Sequence, residues 1–223
     1  MDTSGKFVIT VSRQLGSGGH TIAQKLSERL GVRFFDKELI QRLSHQFKLT
    51  PERIESLKGE KKLWLSDFLH LVVPAPTPGG FIGEENPYGK EFNTKITTDD
   101  IYLAETEILR EIADEGSCII TGRSGFFALK GHPNKVDIFI TAPKEKRIER
   151  VMRKQGLSRK LAEELIDKVD VQRENYVKRY TGTSRYDSRN YHLTMNVGGL
   201  SEDQAVELIL DFIGGDSGYD TEM

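Results

Sequence analysis

A glycine-rich turn near the amino terminus combines residue types and spacing that could hold a phosphate. Gly16, Gly18 and Gly19 lie in the segment LGSGGHT, after the apolar run FVITVS and before a helical stripe that begins with Ile22 and Leu26. A strand, a glycine turn and a helix in this order direct backbone N–H groups and a helix amino terminus towards one point. Glycines also serve ordinary turns, but this placement favours an anion site that needs no charged side chain.

The elements that would position this turn alternate between short apolar runs and longer helical periods. Five runs are almost continuously apolar, as in parallel strands covered on both faces: KFVITVS, VRFFD, SCIITG, VDIFITA and YHLTMNV. Between them, one helical stripe extends from Ile101 to Ile112, and another follows a capping box of Ser201 and Gln204. The sequence therefore predicts an α/β fold, with a parallel sheet and helices on both faces.

Composition limits the class of protein and of partner. The 223 residues carry 32 Lys and Arg against 34 Asp and Glu, so the net charge gives no argument for a nucleic-acid partner. No apolar run approaches the roughly 20 residues that cross a bilayer, and no hydrophobic signal segment follows MDTSGK. We therefore expect a cytoplasmic protein that binds neither membranes nor nucleic acid. The single cysteine, Cys118, lies in an apolar run and is expected to be buried without a catalytic role.

The segment from Val73 to Thr98 interrupts the alternation of strands and helices. It carries four of the seven prolines, so it cannot form one regular element. Loops of this length are usually functional covers or disordered insertions. The preceding KKLWLSDFLHLVV predicts a short helix, in which Trp64 and His70 are slightly more typical of packing than of substrate contact. The small, polar tail at residues 215–223 predicts disorder.

Five segments of the chain, in their order, resemble the cytidylate kinases and, more closely, a divergent set of cytidylate-kinase-like P-loop proteins. They are FVITVSRQLGSGGHTIAQKL, VRFFDKELIQRL, GSCIITGRSGFFAL, VDIFITAPKEKRIERVMRKQG and QRENYVKRY. The resemblance implies a P-loop NTPase fold of three α/β/α layers with a five-stranded parallel sheet. It also implies one domain over residues 1–214, with an acceptor-binding insertion at 59–98 and a lid at 154–186. The implied reaction uses ATP and magnesium to convert CMP or dCMP, as small-molecule substrate, to its diphosphate.

In the loop, the resemblance implies a cradle for the donor phosphates. Its residues would be Gly16, Ser17, Gly18, Gly19, His20 and Thr21. Two of the family's usual loop residues are replaced, since Gly19 stands in place of the lysine and Arg13 in place of the first glycine. Arg13 carries a planar guanidinium that can hold a phosphate through two hydrogen bonds, so we hypothesise that it supplies the absent charge.

The resemblance also implies an acceptor site at the ends of the second and third strands. Asp36 and Arg42 match family residues that hold the acceptor, and Arg123 matches a further phosphate or base contact. Thr121 and Ser124 stand where the family has carboxylates, so an aspartate that organises magnesium is missing. Asp36 is the candidate metal residue, acting through water. His20 could donate a hydrogen bond to a phosphate or serve only as a spacer.

The lid and the helix before it supply further arginines. By resemblance, Arg147, Arg150 and Arg173 match arginines that clamp ATP and neutralise charge during transfer, with Arg147 as a contact to ATP. Arg147, Arg150 and Arg153 recur at three-residue spacing, which is most often a solvent-exposed helix face, and the resemblance favours only the first two. The candidate catalytic residues are Arg13, Arg123, Arg150 and Arg173.

The two acceptor residues have simpler explanations that stay open at this point. Asp36 is equally suited to capping a helix that begins at Lys37. Arg42 is also placed to pair with Glu38 on one helix face.

Three functions remain compatible with these residues: a pyrimidine nucleoside monophosphate kinase, a kinase for another small-molecule acceptor, and a nucleotide-binding regulator without catalysis. Phosphoryl transfer depends mainly on positioning and on stabilising charge. Losing one preorganised donor typically costs about a hundredfold to a thousandfold in rate. The replaced lysine therefore puts the activity in doubt without excluding it.

Overall fold

The computed structural model of this chain describes residues 1–36, 38–49 and 96–214. Within these residues, five strands form one sheet, and they lie where the five apolar runs predict them. They are β1 (Val8–Arg13), β2 (Arg33–Phe35), β3 (Cys118–Thr121), β4 (Lys135–Thr141) and β5 (Leu193–Asn196). All four pairings are parallel, in the order β2-β3-β1-β4-β5. The predicted parallel α/β sheet is confirmed.

Helices connect these strands. They are α1 (Gly19–Leu30), α2 (Glu38–Phe47), α3 (Thr98–Glu115), α4 (Gly125–Ala128), α5 (Lys144–Gln155), α6 (Arg159–Thr181) and α7 (Glu202–Gly214), with a 3-10 turn at Ser188–Asn190. The predicted capping box before α7 is present: the Ser201 N–H donates to Gln204 Oε1 at 2.8 Å, and the Gln204 N–H donates to Ser201 Oγ at 3.1 Å. No helix in the described ranges is both long and apolar enough to cross a bilayer.

Two apolar cores cover the two faces of the sheet, because successive residues of a strand point to opposite sides. Ile9 and Val11 of β1 belong to the core that α1 and α7 cover, whereas Val8 belongs to the core that α3 covers. Cys118 is buried in the second core, and burial raises the pKa of its thiol to about 12. The buried position predicted for Cys118 is confirmed.

The helices α5 and α6 form a hairpin with a small apolar core of its own. Its members are Ile148, Val151, Leu157, Ala162, Leu165, Ile166 and Val169. This hairpin includes most of the segment 154–186 that is predicted to be a lid. Lid movement and the domain limits stay predictions.

Two predicted regions lie outside the described residues. One is the insertion at 59–98 with Trp64 and His70, except for its last three residues, and the other is the tail at 215–223. At the end of the insertion, α3 begins after a capping box. The Asp100 N–H donates to Thr97 Oγ1 at 3.2 Å, and the Thr97 N–H donates to Asp100 Oδ2 at 2.8 Å.

Candidate functional site

The loop between β1 and α1 lies at the carboxyl edge of the sheet, and two of its glycines are required by shape. Gly16 and Gly18 have φ values of 79° and 88°, which lie in the left-handed region that favours glycine. A Cβ atom at Gly16 would lie 2.6 Å from the carbonyl oxygen of Arg147. A Cβ atom at Gly18 would lie 2.9 Å from the guanidinium carbon of Arg150. The backbone conformation therefore favours glycine at both positions, and at Gly16 the close approach of the α5 backbone favours it as well.

The start of α1 presents backbone donors to this loop. The first hydrogen bond of the helix runs from the Ile22 N–H to the Gly18 carbonyl, at 3.0 Å. The amides of His20 and Thr21 precede it and belong to the first turn, whose N–H groups lack partners within the helix. The Gly19 N–H donates to Ser17 Oγ at 3.3 Å, and buried Ser17 braces the loop. These groups fit the phosphates of a nucleotide.

Arg147 and Asp170 hold the loop from the side of α5 and α6. Arg147 Nη1 donates to the Leu15 carbonyl at 3.2 Å and to Asp170 Oδ2 at 2.5 Å. The Leu15 N–H donates to the other oxygen, Asp170 Oδ1, at 3.1 Å. Both charged side chains are buried. Arg147 therefore anchors the loop, and its predicted contact with ATP stays a prediction.

Two further cations of α5 contact the loop beyond Arg147. The guanidinium of Arg150 lies against Gly18 and pairs with Glu202 at 2.5 Å. Lys154 Nζ donates to Thr21 Oγ1 at 3.3 Å. Lys154 was missed from the sequence, because the arginines at three-residue spacing continue to Arg153 and not to Lys154.

Arg13, His20, Asp36 and Thr121 meet at the carboxyl ends of β1, β2 and β3. Arg13 Nη2 donates to Asp36 Oδ1 at 3.4 Å, and Thr121 Oγ1 donates to the same oxygen at 3.1 Å. His20 Nε2 lies 2.9 Å from Asp36 Oδ2. Burial raises the pKa of Asp36, but the His20 hydrogen bond and the charge of Arg13 outweigh it and bring that pKa down to about 2. Asp36 is therefore a carboxylate at neutral pH.

Arg13 and Gly19 are coupled by packing. A Cβ atom at Gly19 would lie 2.7 Å from the Cβ of Arg13 and 3.2 Å from the Cβ of Ile140. The guanidinium of Arg13 then passes close to Gly122 on its way to Asp36. Position 19 has no room for a side chain beside Arg13. The glycine in place of the usual lysine therefore depends on the arginine in place of the usual first glycine.

Two arginines converge on the backbone at the start of the loop. Arg173 Nη1 and Arg185 Nη2 donate to the carbonyl oxygen of Arg13, at 3.2 Å and 2.6 Å. The predicted residue Arg173 is thus brought next to the loop. Arg185 is buried, and its Nη1 has no hydrogen-bond partner within the described residues. This arginine was missed from the sequence. It lies between α6 and β5, where no periodic pattern distinguishes it.

Arg123 follows β3 and pairs with a buried carboxylate of α3. Its φ is 56°, and its Nη1 lies 3.5 Å from Oε1 of buried Glu105 on α3. Tyr176 of α6 donates its hydroxyl to Glu105 Oε2 at 2.5 Å. Glu105 was missed as well. A carboxylate within the apolar stripe of α3 was the signal that could have found it.

Arg42 is not brought to this group of residues. Its Nη1 pairs with Glu115 at 3.3 Å, and Glu115 also pairs with Arg33 at 2.6 Å. Arg33 begins β2, so this cluster lies at the amino edge of the sheet, opposite the loop. Lys37 and the side chain of Glu38, which the two simpler explanations involve, lie outside the described residues.

The residues fit a magnesium ion only in an indirect way. Both oxygens of Asp36 already take part in hydrogen bonds, so direct coordination would displace His20, Arg13 or Thr121. Residues 1–36, 38–49 and 96–214 contain no group of three His, Cys, Asp or Glu side chains that could hold a metal. Coordination through water is the arrangement that fits Asp36.

Solved structures with the same fold include small-molecule kinases. An uncharacterized protein from Eubacterium ventriosum has a TM-score of 0.67 and 23% identity, covering 95% of this chain and 100% of that chain. Shikimate kinase from Bacteroides thetaiotaomicron has a TM-score of 0.53 and 13% identity, covering 93% of this chain and 98% of that chain. A gluconokinase from Sinorhizobium meliloti has a TM-score of 0.53 and 14% identity, covering 94% and 92%. These likenesses support the predicted three-layer fold.

Sequence comparison identifies the family. A cytidylate kinase from Methanopyrus kandleri is 26% identical over 213 residues, covering 91% of this chain and 90% of that protein. The model of the cytidylate kinase-like family matches residues 8–198, which include β1 to β5 and the loop. The resemblance expected from the sequence is confirmed: this chain belongs to the cytidylate kinase-like family.

Proposed function

We propose that this chain is an ATP-dependent phosphotransferase that acts, with magnesium, on CMP or dCMP. The observation that carries the proposal is the loop between β1 and α1. The φ values of Gly16 and Gly18, and the first-turn amides of His20 and Thr21, suit the phosphates of a nucleotide. Membership of a kinase-like family supports phosphoryl transfer, and the relative from Methanopyrus kandleri supports CMP as the acceptor.

The proposed reaction moves one phosphoryl group between two nucleotides. An oxygen of the acceptor phosphate forms a bond to the γ-phosphorus of ATP. The bond from that phosphorus to the bridging oxygen breaks, and ADP leaves with the electron pair. Because the protein needs to do little covalent chemistry, its residues act by positioning the two nucleotides and by stabilising charge.

The position of each residue indicates which part of the reaction it would serve. The amides of His20 and Thr21 would bind donor phosphates from the amino end of α1. Arg13 and Arg173, at the carboxyl end of β1, would stabilise the charge on the transferred group. Arg123, after β3, would hold the acceptor, with Glu105 orienting its guanidinium.

Asp36 is the residue that would hold magnesium, through water. When bound, the ion supplies positive charge at the donor phosphates. Asp36 contributes a full negative charge at neutral pH, because the His20 hydrogen bond and the charge of Arg13 lower its pKa more than its burial raises it. It also holds the guanidinium of Arg13 in place.

The position of Arg42 favours a second candidate, a kinase for another small-molecule acceptor. Arg42 is the residue expected to hold an acceptor phosphate, and its pair with Glu115 lies at the opposite edge of the sheet. An acceptor without a phosphate would not need it. The named neighbours, a shikimate kinase and a gluconokinase, use the same fold.

An acceptor panel tests both candidates. ADP release from magnesium-ATP would be measured with CMP, dCMP, UMP, AMP, shikimate, gluconate and no acceptor, beside a separate calorimetric titration with ATP. Saturable stimulation by CMP or dCMP supports the leading proposal, and stimulation only by a phosphate-free acceptor supports the second. Binding of ATP without turnover would contradict both and favour a nucleotide-binding regulator.

A loop variant shows whether any turnover belongs to this chain. Gly18→Ala places a Cβ atom at a φ of 88° and against the guanidinium of Arg150. Activity that persists unchanged in this variant would come from a contaminating kinase or from a site other than the loop.

A further inference from the structure

Helix α5 lies along the loop so that one face of it contacts the loop residues in order. Arg147 contacts Leu15, Arg150 lies against Gly18, and the ammonium of Lys154 reaches the hydroxyl of Thr21 at 3.3 Å. These positions are spaced i, i+3 and i+7, which places them on one face of a helix. Lys154 is therefore the last member of a cationic row that ends at the first turn of α1.

The three cations of this row differ in how they are neutralised. Arg147 pairs with buried Asp170, and Arg150 pairs with Glu202. Lys154 is exposed, and its contact with Thr21 is to a neutral hydroxyl. Within the described residues, no ion pair of Lys154 is present. Its charge is thus the one on this helix face that an incoming anion could pair with at little cost.

The loop itself has no room for a lysine at the family's usual position. A side chain at Gly19 would strike the Cβ of Arg13, at 2.7 Å. A lysine at position 19 is therefore excluded while Arg13 is present, and α5 brings an ammonium to the first turn of α1 instead. Lys154 places an ammonium two residues beyond Gly19 along that turn. Its long flexible stem allows the ammonium to shift from a hydroxyl to a phosphate, which is the stronger acceptor.

We propose that Lys154 is the functional substitute for the missing loop lysine and that it binds the polyphosphate of the donor nucleotide. This inference rests on the proposed function, since it requires a nucleotide at the loop. The ligand is a nucleoside triphosphate or diphosphate, and the acceptor does not contact Lys154.

The test compares Lys154→Ala, Lys154→Arg and the control Arg153→Ala with the wild-type protein. Arg153 is also exposed and neighbours Lys154 on α5, so its removal deletes the same charge from the same helix turn. ATP affinity is measured by calorimetry, and the KM for ATP is measured separately from the KM for the acceptor. Thermal melting shows whether each variant folds like the wild type.

Lys154→Ala is expected to weaken ATP binding by about 10- to 100-fold, as for other hydrogen bonds to charged groups. Arg153→Ala should change it by less than about twofold, and Lys154→Arg should restore most of the affinity because it keeps the charge. The KM for ATP should rise in Lys154→Ala while the KM for the acceptor stays the same. A purely structural role of Lys154 would not raise the KM for ATP while leaving the KM for the acceptor unchanged.

Three other results separate the failure of this inference from that of the proposed function. Equal ATP affinity in Lys154→Ala and Arg153→Ala would overturn the role of Lys154 and leave the kinase proposal in place. Weaker ATP binding in Lys154→Ala alone, with no turnover by the wild-type protein for any acceptor, would support Lys154 as a nucleotide contact and contradict the proposed kinase activity. Absence of ATP binding by the wild-type protein would overturn both.

Discussion

Two of the arginine–carboxylate pairs beside the loop differ in burial and in the number of their partners. Arg147 and Asp170 are 2.5 Å apart, with side chains 8% and 10% exposed. Arg13 and Asp36 are 3.4 Å apart, with side chains 16% and 15% exposed. Each pair joins an element next to the loop to a more distant one. The first pair is the tighter and the more enclosed.

The partners of each pair explain this difference. Both members of the Arg147 pair bond the backbone of Leu15, one at its carbonyl and one at its N–H. In the other pair, Asp36 is shared with His20 and Thr121. A pair that holds backbone from two sides fixes the shape of the loop. A longer contact within a shared cluster can be exchanged for a phosphate, so we infer that only the second pair takes part in chemistry.

The largest effect should come from breaking the Arg147 pair. Asp170→Ala leaves the guanidinium of Arg147 buried and uncompensated, which typically costs about 3–5 kcal/mol of stability. Urea unfolding would measure this loss. The control is Asp167→Ala on the same helix, since exposed Asp167 pairs with Lys144 at 2.9 Å. Removing such a surface pair should cost less than about 1 kcal/mol. Similar losses in both variants would contradict the anchoring role of the first pair.

The next largest effect should be a lower kcat when Arg13 of the second pair is removed. If Arg13 stabilises the transferred group, Arg13→Ala should lower kcat by about a hundredfold to a thousandfold, equivalent to about 3–4 kcal/mol. Arg13→Lys should recover only part of it, because an ammonium lacks the planar fork. Steady-state kinetics with the stimulating acceptor would measure both variants.

Arg33→Ala is the control for this turnover experiment. Arg33 is also a strand arginine paired with a carboxylate, but its pair with Glu115 lies at the amino edge of the sheet. Its removal should leave kcat within about twofold of the wild type, as expected for an exposed pair far from the loop. Unchanged turnover in Arg13→Ala would mean that the Arg13 pair, like the Arg147 pair, has only a structural role.

Local patterns were sufficient to predict the sheet and the loop. Each strand is a short apolar run, and the capping box of Ser201 and Gln204 is a signal within four residues. The glycines of the loop follow a strand and precede a helical stripe, so Gly16 and Gly18 could be identified from neighbouring residues alone. Their positive φ values provide the physical reason for glycine.

Contacts between distant elements could not be predicted in this way. Asp170 bonds Leu15 across 155 positions, and Lys154 reaches Thr21 across 133. No spacing rule joins residues so far apart. The rotation of α5 about its axis also decides whether Arg153 or Lys154 faces the loop, and a run of charged residues does not specify that rotation.

A smaller effect tests whether Arg13 and Gly19 are coupled. Gly19→Ala should destabilise the wild-type protein by up to about 3 kcal/mol, because the new Cβ lies 2.7 Å from the Cβ of Arg13. In an Arg13→Gly background the clash is absent, so the same change should alter stability by less than about 1 kcal/mol. A double-mutant cycle of urea unfolding measures this difference. Equal costs in the two backgrounds would mean that Ile140, at 3.2 Å, causes the crowding.

The acid stability of the protein should show a contribution of similar or smaller size from Asp36 and its partners His20, Arg13 and Thr121. Burial raises the pKa of Asp36, but the His20 hydrogen bond and the charge of Arg13 lower it further, from 3.8 to about 2. The unfolded chain therefore binds the proton more readily, so this stabilisation is present above pH 4 and is lost as the pH falls to about 2. The shift corresponds to about 2 kcal/mol. Urea unfolding at several pH values should give a shallower acid decline in Asp36→Asn than in the wild type. Identical declines would mean that the contacts of Asp36 contribute nothing to the stability of the folded state and that its charge serves the phosphate site alone.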